Sequence, residues 1–372
     1  MKILLLCEAS WTVVSFRKEL IEFLKSNNHE ISLIMGDGEK INELSPLCDV
    51  HVIPFKNRGI NPIKLLKLKK SFRKEIEIIK PDAVMTFFIK PNTVGVKAAK
   101  QAKVKNIFPF VEGLGDPFQP VSFKGKIIKF VCSHLYKSSF KKATNVFFLN
   151  NDDKEFFINE GIVKKDKSVL IKGIGIDTSS FVVSPLPKNN NVLLMARLIE
   201  KKGIVDFAKA ARIVKKEVPD AKFTLIGKEA EITKLDLKEY IDDGSIIYDG
   251  VQSDVKKYIN NSKIVVLPSY YREGLPRSLL EAISIGRPVI GYKNVGTNDV
   301  IDDGVNGYLV KSRDIEAFAN AIIKVLKDEQ LASKMAAKSR EIAVNTFDSK
   351  IINNQILEII KGNWSKPVAF TF

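Results

Sequence analysis

The sequence is poor in the residues that carry several common chemistries. Its three cysteines, Cys7, Cys48 and Cys132, are odd in number and widely spaced. They offer neither a disulfide framework nor a metal-ligand pattern, and they fit a reducing compartment. There are only three histidines, His29, His51 and His134, none with a partner in sequence, so a histidine-based acid–base mechanism is a poor fit. No Asp-x-Asp pair lies in a loop suited to a divalent cation, and no obligatory metal is expected. The full Gly-x-Gly-x-x-Gly of a dinucleotide loop is missing, although Gly173 and Gly175 come close together. No stretch reaches the roughly 18 apolar residues of a spanning helix, and Lys2–Cys7 is too short for a signal sequence, with Glu8 following at once. These absences point to a cytoplasmic protein.

What is present is a chain of 372 residues, 45% apolar and 27% charged, long enough for two domains with cores of their own. The net charge of +16 is unevenly placed. Residues 1–150 hold 25 Lys and Arg against 13 Asp and Glu, a net of +12; the remainder holds 34 against 30, a net of +4. A basic half calls for an anionic partner. Two segments concentrate the charge. Lys56 to Lys80 has nine Lys and Arg against Glu75 and Glu77; Lys124 to Lys142 has six Lys and no acid. Both carry apolar residues at helical spacing, so each reads as a core helix with a basic face or as a dock on anionic lipid. No nucleic-acid recognition motif is present, and no nucleic-acid partner is expected.

Short β-rich runs alternate with amphipathic helices. The first set of strands is Lys2–Leu6, Glu30–Met35, Val50–Pro54, Ala83–Phe88, Asn106–Phe110, Asn145–Leu149 and Ser168–Ile171, with helices such as Phe16–Lys25, Pro62–Ile79 and Pro91–Gln101 between them. The series restarts with Asn191–Ala196, Lys222–Ile226, Ser245–Tyr248, Lys263–Pro268, Pro288–Tyr292 and Gly307–Val310. Continuous apolar strands separated by helices predict an α/β fold of two doubly wound parallel sheets. The Pro- and Asn-rich Val182–Asn191 reads as the linker. The expected division is 1–180 and 181–346, with a helix at about 347–372 packing back on the first domain. Ligands of such folds bind at the carboxyl edges of the strands, here in a cleft between two sheets.

The strongest constellation follows the apolar run Ile264–Leu267. Glu273 lies in the loop after it, Gly274-Leu275-Pro276 turns the chain, and a helix carries Glu281 about two turns on. Amides at the helix start, around Gly274, Leu275 and Arg277, form a site for a diphosphate, and Pro276, with no N–H, suits the first turn. A second piece, Val192 to Gly203, ends a strand with Arg197 and Lys202, whose cations would neutralise a leaving diphosphate.

The pairing of Ala-Arg197-Leu and Lys202-Gly with Glu273-Gly-Leu-Pro and Glu281-Ala resembles the retaining glycosyltransferases of family 4, which have the GT-B fold of two Rossmann-like domains. Their Glu-x7-Glu motif is present as Glu273 and Glu281. Lys172-Gly-Ile-Gly175-Ile-Asp177 is similar to the family's crossover segment, Asp303-Gly304-Val-Asn-Gly307 to its late strand–turn. Leu225-Ile-Gly227-Lys228 and Gly250-Val251-Gln-Ser-Asp254 fall where members bind the nucleotide. In the first half, Phe110-Val-Glu112-Gly113-Leu-Gly115 and Leu135-Tyr136 resemble a bacterial subgroup that extends lipid-linked oligosaccharides, N-acetylgalactosamine and hexose transferases among them. Many members carry a Gly-rich loop after the first strand and an active-site His. Here that loop is Cys7-Glu8-Ala9-Ser10-Trp11, and Glu112 stands at the second polar strand end.

The resemblance implies a UDP-sugar as donor substrate and no cofactor. Glu281 would accept from the ribose hydroxyls, Arg197 and Lys202 would hold the diphosphate, and Glu273 and the Gly274–Leu275 backbone would meet the transferred sugar. Lys228 and Val251 would border the nucleotide. The acceptor, a saccharide on a polyprenyl diphosphate, would enter past Glu112 with the enzyme peripheral on the inner face of the membrane. A sugar-nucleotide epimerase of the same fold and a non-catalytic membrane-associated scaffold are the alternatives.

Overall fold

The computed structural model describes residues 1–55, 59, 61–114, 118 and 122–363. The end of the Glu112–Gly115 motif and part of the first basic segment, residues 56–58 and 60, lie outside them. The chain divides into two compact units, Met1–Ile174 joined by the helix Ser349–Ile360, and Gly175–Asp348.

The first unit is a parallel sheet of β1 (Lys2–Leu6), β2 (Glu30–Met35), β3 (Asp49–Val52), β4 (Ala83–Phe87), β5 (Asn106–Val111), β6 (Val146–Phe148) and β7 (Ser168–Leu170). Its order is β3-β2-β1-β4-β5-β6-β7. The apolar run of β1 is buried on both faces, and its period of two splits the core. Ile3 and Leu5 join one layer, which the helix Ser349–Ile360 completes with Ile352, Ile356 and Ile360. Leu4 and Leu6 join the other, under Leu68, Phe72 and Ile76 of the helix Pro62–Ile79.

Two expected helices are interrupted. Instead of Phe16–Lys25, the helices Ser10–Phe16 and Lys18–Ser26 meet at Arg17, whose φ of −129° leaves the helical region. Pro91–Gly95 is a wide π turn before the helix Val96–Gln101. There the buried Asn92 donates to the Phe110 carbonyl at 2.7 Å and accepts from Thr86 Oγ1 at 2.7 Å.

The second unit is a parallel sheet of β8 (Asn191–Met195), β9 (Lys222–Ile226), β10 (Ile247–Tyr248), β11 (Ile264–Leu267), β12 (Val289–Tyr292) and β13 (Gly307–Val310), in the order β10-β9-β8-β11-β12-β13. The segment expected as the linker, Val182–Asn191, is packed on this unit. The fully buried Arg287 donates to the carbonyls of Ser184 (2.9 Å), Pro185 (3.2 Å) and Ile259 (3.0 Å). Arg340 donates to the Phe181 carbonyl at 2.8 Å. The change of unit falls earlier, at Ile174–Gly175. Gly173 and Gly175 there both have φ of +76°, which glycine adopts without strain.

Candidate functional site

In the second sheet the strand order reverses between β8 and β11, and the crevice for a ligand lies outside their carboxyl ends. Glycine allows the loops there to close up. At Gly203 (φ +72°) a Cβ would fall on the Pro268 carbonyl, and at Gly227 (φ +147°) on the Ala196 carbonyl. The short 3-10 turn Glu200–Lys202 is tied to the loop after β11 by the amides of Tyr270 and Tyr271, which donate to the Lys201 carbonyl at 2.9 and 3.0 Å.

This closure brings Lys202 to Glu273. The ammonium and the carboxylate form an ion pair, and Glu273 is 8% exposed. Ser269, fully buried, donates its hydroxyl to the same carboxylate oxygen at 2.8 Å. The side-chain amide of Asn294, in the loop after β12, donates to the Tyr271 carbonyl at 2.7 Å. Gly296 lies flush against Glu273, where an added Cβ would come 2.7 Å from the Glu273 Cβ. Glu273 is therefore set from three strand ends, its carboxylate by Lys202 and Ser269 and its Cβ and backbone by Gly296. Ser269, Asn294 and Gly296 were not legible as site residues. Two of them come from the following strand's loop, and only the fold sets that loop beside Glu273.

Glu281 lies on the helix Arg277–Ser284 and accepts from Arg277 Nε at 2.9 Å, an i,i+4 pair on one helix face. Burial pushes its carboxyl above the ordinary range, with Arg277 and Lys256 pulling it back down. Pro276 takes the cap position rather than the first turn, because the helix begins at Arg277. A proline caps with no side-chain acceptor, so the amides of the first turn meet no side-chain cap. Gly274 and Leu275 form the bend before it.

Arg197 is exposed just beyond β8. Lys228, exposed, follows β9 and accepts at its carbonyl from the Leu198 amide at 2.9 Å. Val251 is 71% exposed. The ends of β8, β9 and β11 thus supply one edge with Arg197, Lys228 and the Lys202–Glu273 pair.

Glu112 belongs to the first unit and follows β5. Its carboxylate is ion-paired with Arg17, the residue that interrupts the first helices. The guanidinium is buried and stacks 4.2 Å from the Phe87 ring centroid, and burial pushes it down to about 10. The second Glu112 oxygen, Oε2, is buried with no hydrogen-bond partner among the described residues. Glu8, just after β1, is pushed up to about 7 by burial, opposed by the charge of Lys90 beyond β4. Both charges border the β1–β4 reversal of this sheet. The three histidines all belong to the first unit; His51 sits between Asp49 (2.9 Å) and Glu75 (2.7 Å). Among the described residues no group of three or more His, Cys, Asp or Glu side chains could hold a metal ion.

Known proteins resemble this chain in sequence and in fold. The family model "Glycosyl transferases group 1" matches residues 177–342, and "Glycosyl transferase 4-like" matches residues 2–150. The chain is 31% identical, over 96% of its length and 98% of the relative's, to the N,N'-diacetylbacillosaminyl-diphospho-undecaprenol alpha-1,3-N-acetylgalactosaminyltransferase of Campylobacter jejuni. It is 29% identical, over 88% of its length and 87% of the relative's, to the UDP-Gal:alpha-D-GlcNAc-diphosphoundecaprenol alpha-1,3-galactosyltransferase of Escherichia coli. The crystal structure of Anabaena HepE in complex with UDP superposes with a TM-score of 0.81 at 20% identity, covering 97% of this chain and 100% of that one. These relatives are transferases, which disfavours the epimerase and scaffold readings.

Proposed function

The chain belongs to the glycosyltransferases of group 1, and from that membership we propose that it moves a sugar, with retention, from a UDP-sugar to a saccharide carried on a polyprenyl diphosphate. The observation that carries the reading is the full-length likeness to the Campylobacter jejuni N-acetylgalactosaminyltransferase, set beside an edge where Lys202, Glu273, Arg277 and Glu281 converge on one strand–loop–helix element.

The donor's diphosphate is taken to rest against Arg197, Lys202 and the first turn of Arg277–Ser284. Its negative charge grows as the glycosidic bond breaks, and fixed cations and amides stabilise that growth without reorganising. Lys202 enters this role already held by Glu273, so the incoming phosphate shares an ammonium whose position is set. Two cations and a helix N-terminus cover the charge, and no obligatory metal is proposed. Glu273, fixed by Lys202 and Ser269, has one carboxylate oxygen to accept from hydroxyls of the transferred sugar. Glu281 accepts from the ribose, with Lys228 and Val251 bordering the nucleotide. On the acceptor side, Glu112 Oε2 is a buried acceptor atom without a partner among the described residues, suited to a hydroxyl of the incoming saccharide. The basic first half suits an acceptor diphosphate and an anionic membrane, with the enzyme peripheral on the cytoplasmic face. No helix among the described residues is long and apolar enough to cross a membrane.

The test is an in vitro transfer assay. Purified protein is given UDP-N-acetylgalactosamine, UDP-N-acetylglucosamine, UDP-galactose or UDP-glucose with a synthetic polyprenyl-diphosphate-linked saccharide, and the product is read by mass. One added sugar from one donor, with an α linkage by NMR, is expected. UDP release that needs no acceptor, or no product with any donor, would overturn the reading.

A further inference from the structure

The helix Phe123–Phe140 buries one face and leaves the other bare. Cys132, Tyr136, Ser139 and Phe140 point into the first unit. The Tyr136 ring lies 5.1 Å from Phe140 and 5.4 Å from Phe157, centroid to centroid, so the helix cannot roll about its axis without breaking an aromatic core. Its start is fixed by Ser122, whose hydroxyl accepts from the Gly125 amide at 3.1 Å.

Opposite lies an exposed stripe, Phe123, Ile127, Phe130, His134 and Lys137, at the i, i+4, i+7, i+11, i+14 spacing of one helix face. Phe123 is 79% exposed, Ile127 50% and Phe130 65%. Single apolar side chains on a surface are ordinary; three large ones in one narrow arc of one helix are not. Exposed lysines accompany them, Lys124 and Lys126 beside the apolar end and Lys137 further along. The helix has no acidic residue, and Lys129 is drawn aside to Glu160 at 3.0 Å. An apolar stripe with cations on its margins and no acid complements an anionic bilayer: rings reach below the headgroups while ammonium groups meet the phosphates.

We propose that this helix is the membrane-inserting element of the protein, with Phe123, Ile127 and Phe130 entering an anionic bilayer and Lys124, Lys126 and Lys137 held at the headgroups. The inference deepens the membrane part of the proposed function and rests on it. Helical spacing in the sequence groups Ile127 with Ile128, Val131 and Leu135. In the structure Ile127 is outside, and the aromatic residues at 123 and 130 define the bare face. The apolar residues occupy the helix's first half. In a parallel sheet that end lies on the carboxyl side of the preceding strand, β5, where Glu112 stands. Insertion by the Phe123 end would therefore hold this edge of the first sheet at headgroup level, where the diphosphate of a membrane-borne acceptor lies.

The experiment is flotation with vesicles of phosphatidylglycerol and phosphatidylcholine, and of phosphatidylcholine alone. It compares wild type, the triple variant Phe123→Ser/Ile127→Ser/Phe130→Ser, the triple variant Lys124→Gln/Lys126→Gln/Lys137→Gln, and Leu235→Ser, an exposed apolar control in the second unit. Circular dichroism melting establishes that each is folded. Wild type and Leu235→Ser should bind the anionic vesicles. Binding should fall at about 1 M salt, where the screening length shrinks to about 3 Å, but should not vanish. The apolar variant should lose about tenfold or more of its partitioning at both salt levels, since each ring or branched chain withdrawn from lipid is worth about that factor. The lysine variant should lose only the salt-sensitive part. If wild type binds no vesicle, the membrane reading itself fails. If wild type binds and the apolar variant binds equally well, that reading stands and the assignment of this helix is overturned. If the apolar substitutions turn a dimer into a monomer in sedimentation and leave vesicle binding unchanged, the stripe is a self-association face and the proposal is likewise overturned.

Discussion

Lys202 and Glu273 are far apart in sequence and form an ion pair in the second unit, one from the turn after β8, the other from the loop after β11. The pair is largely buried, with side-chain exposures of 15% and 11%. Removing one partner leaves the other's charge poorly solvated, so the two residues act as a unit. Lys202→Ala and Arg197→Ala should each reduce transfer by about 100-fold or more, the usual loss when one charge-stabilising donor is removed. Lys202→Ala should in addition destabilise the protein, because Glu273 is left with Ser269 alone. Arg197→Ala, at an exposed position, should not. Transfer rates and melting temperatures of both variants decide it; near-normal turnover in both would remove these cations from the mechanism.

The two glutamates should separate by ligand. Glu281→Ala should weaken binding of free UDP, whereas Glu273→Ala should spare free UDP and weaken use of the intact sugar donor. Glu281 is tied to Arg277 on the helix, Glu273 to Lys202 and Ser269 before it. Calorimetry with UDP on both variants checks the division, and equal losses of affinity would contradict it.

The two sheets were legible because β-rich runs such as Lys2–Leu6 and Lys222–Ile226 carry their own signal and occupy the expected residues. So does Pro62–Ile79: Asn61 caps it, accepting from the amides of Ile63 and Lys64, Pro62 suits its first turn, and Lys80 ends it in the left-handed region. The glutamates and cations of the second unit were legible because they flank those strands. The break at Arg17 was not. Local propensity favours one continuous helix there, and the charge that holds Arg17, Glu112, comes from the loop after β5. The packed state of Ser184 and Pro185 was hidden for the same reason, since the guanidinium that binds them lies beyond β11.

Arg287 makes that last point testable. It is fully buried, no carboxylate pairs with it among the described residues, and burial pushes its pKa down to about 10. Its charge is satisfied by carbonyls, so it serves as a staple for residues 184–185 and 259–260. Arg287→Lys keeps the charge but loses the planar fork, and should destabilise the protein by about 3 kcal/mol or more as carbonyls go unpaired in the interior. Denaturant unfolding measures this; a loss within about 0.5 kcal/mol would mean that the staple is dispensable.

Glu8 gives the pH dependence. Burial raises its carboxyl to about 7, with Lys90 opposing, while in an unfolded chain it titrates in the ordinary carboxylate range. The folded protein therefore takes up a proton at Glu8 in a window where the unfolded chain does not. By linkage, that makes the Glu8 contribution to stability grow as pH falls from about 8 to about 5. Above about pH 7 the fold carries a poorly solvated carboxylate. Glu8→Gln, neutral and of the same shape, should be more stable than wild type by about 1–2 kcal/mol at pH 8, a figure kept below the full pKa difference because the group retains some water contact. The gap should close near pH 5. Unfolding curves at the two pH values test this, and parallel behaviour of the two proteins would refute it. A carboxyl that weakens the fold, at the strand-order reversal of a doubly wound sheet, is explained by use rather than by stability. Hence the same Glu8→Gln protein should transfer sugar more slowly at pH 8 even as it melts later. Unchanged transfer in the more stable variant would leave Glu8 without a role on the acceptor side.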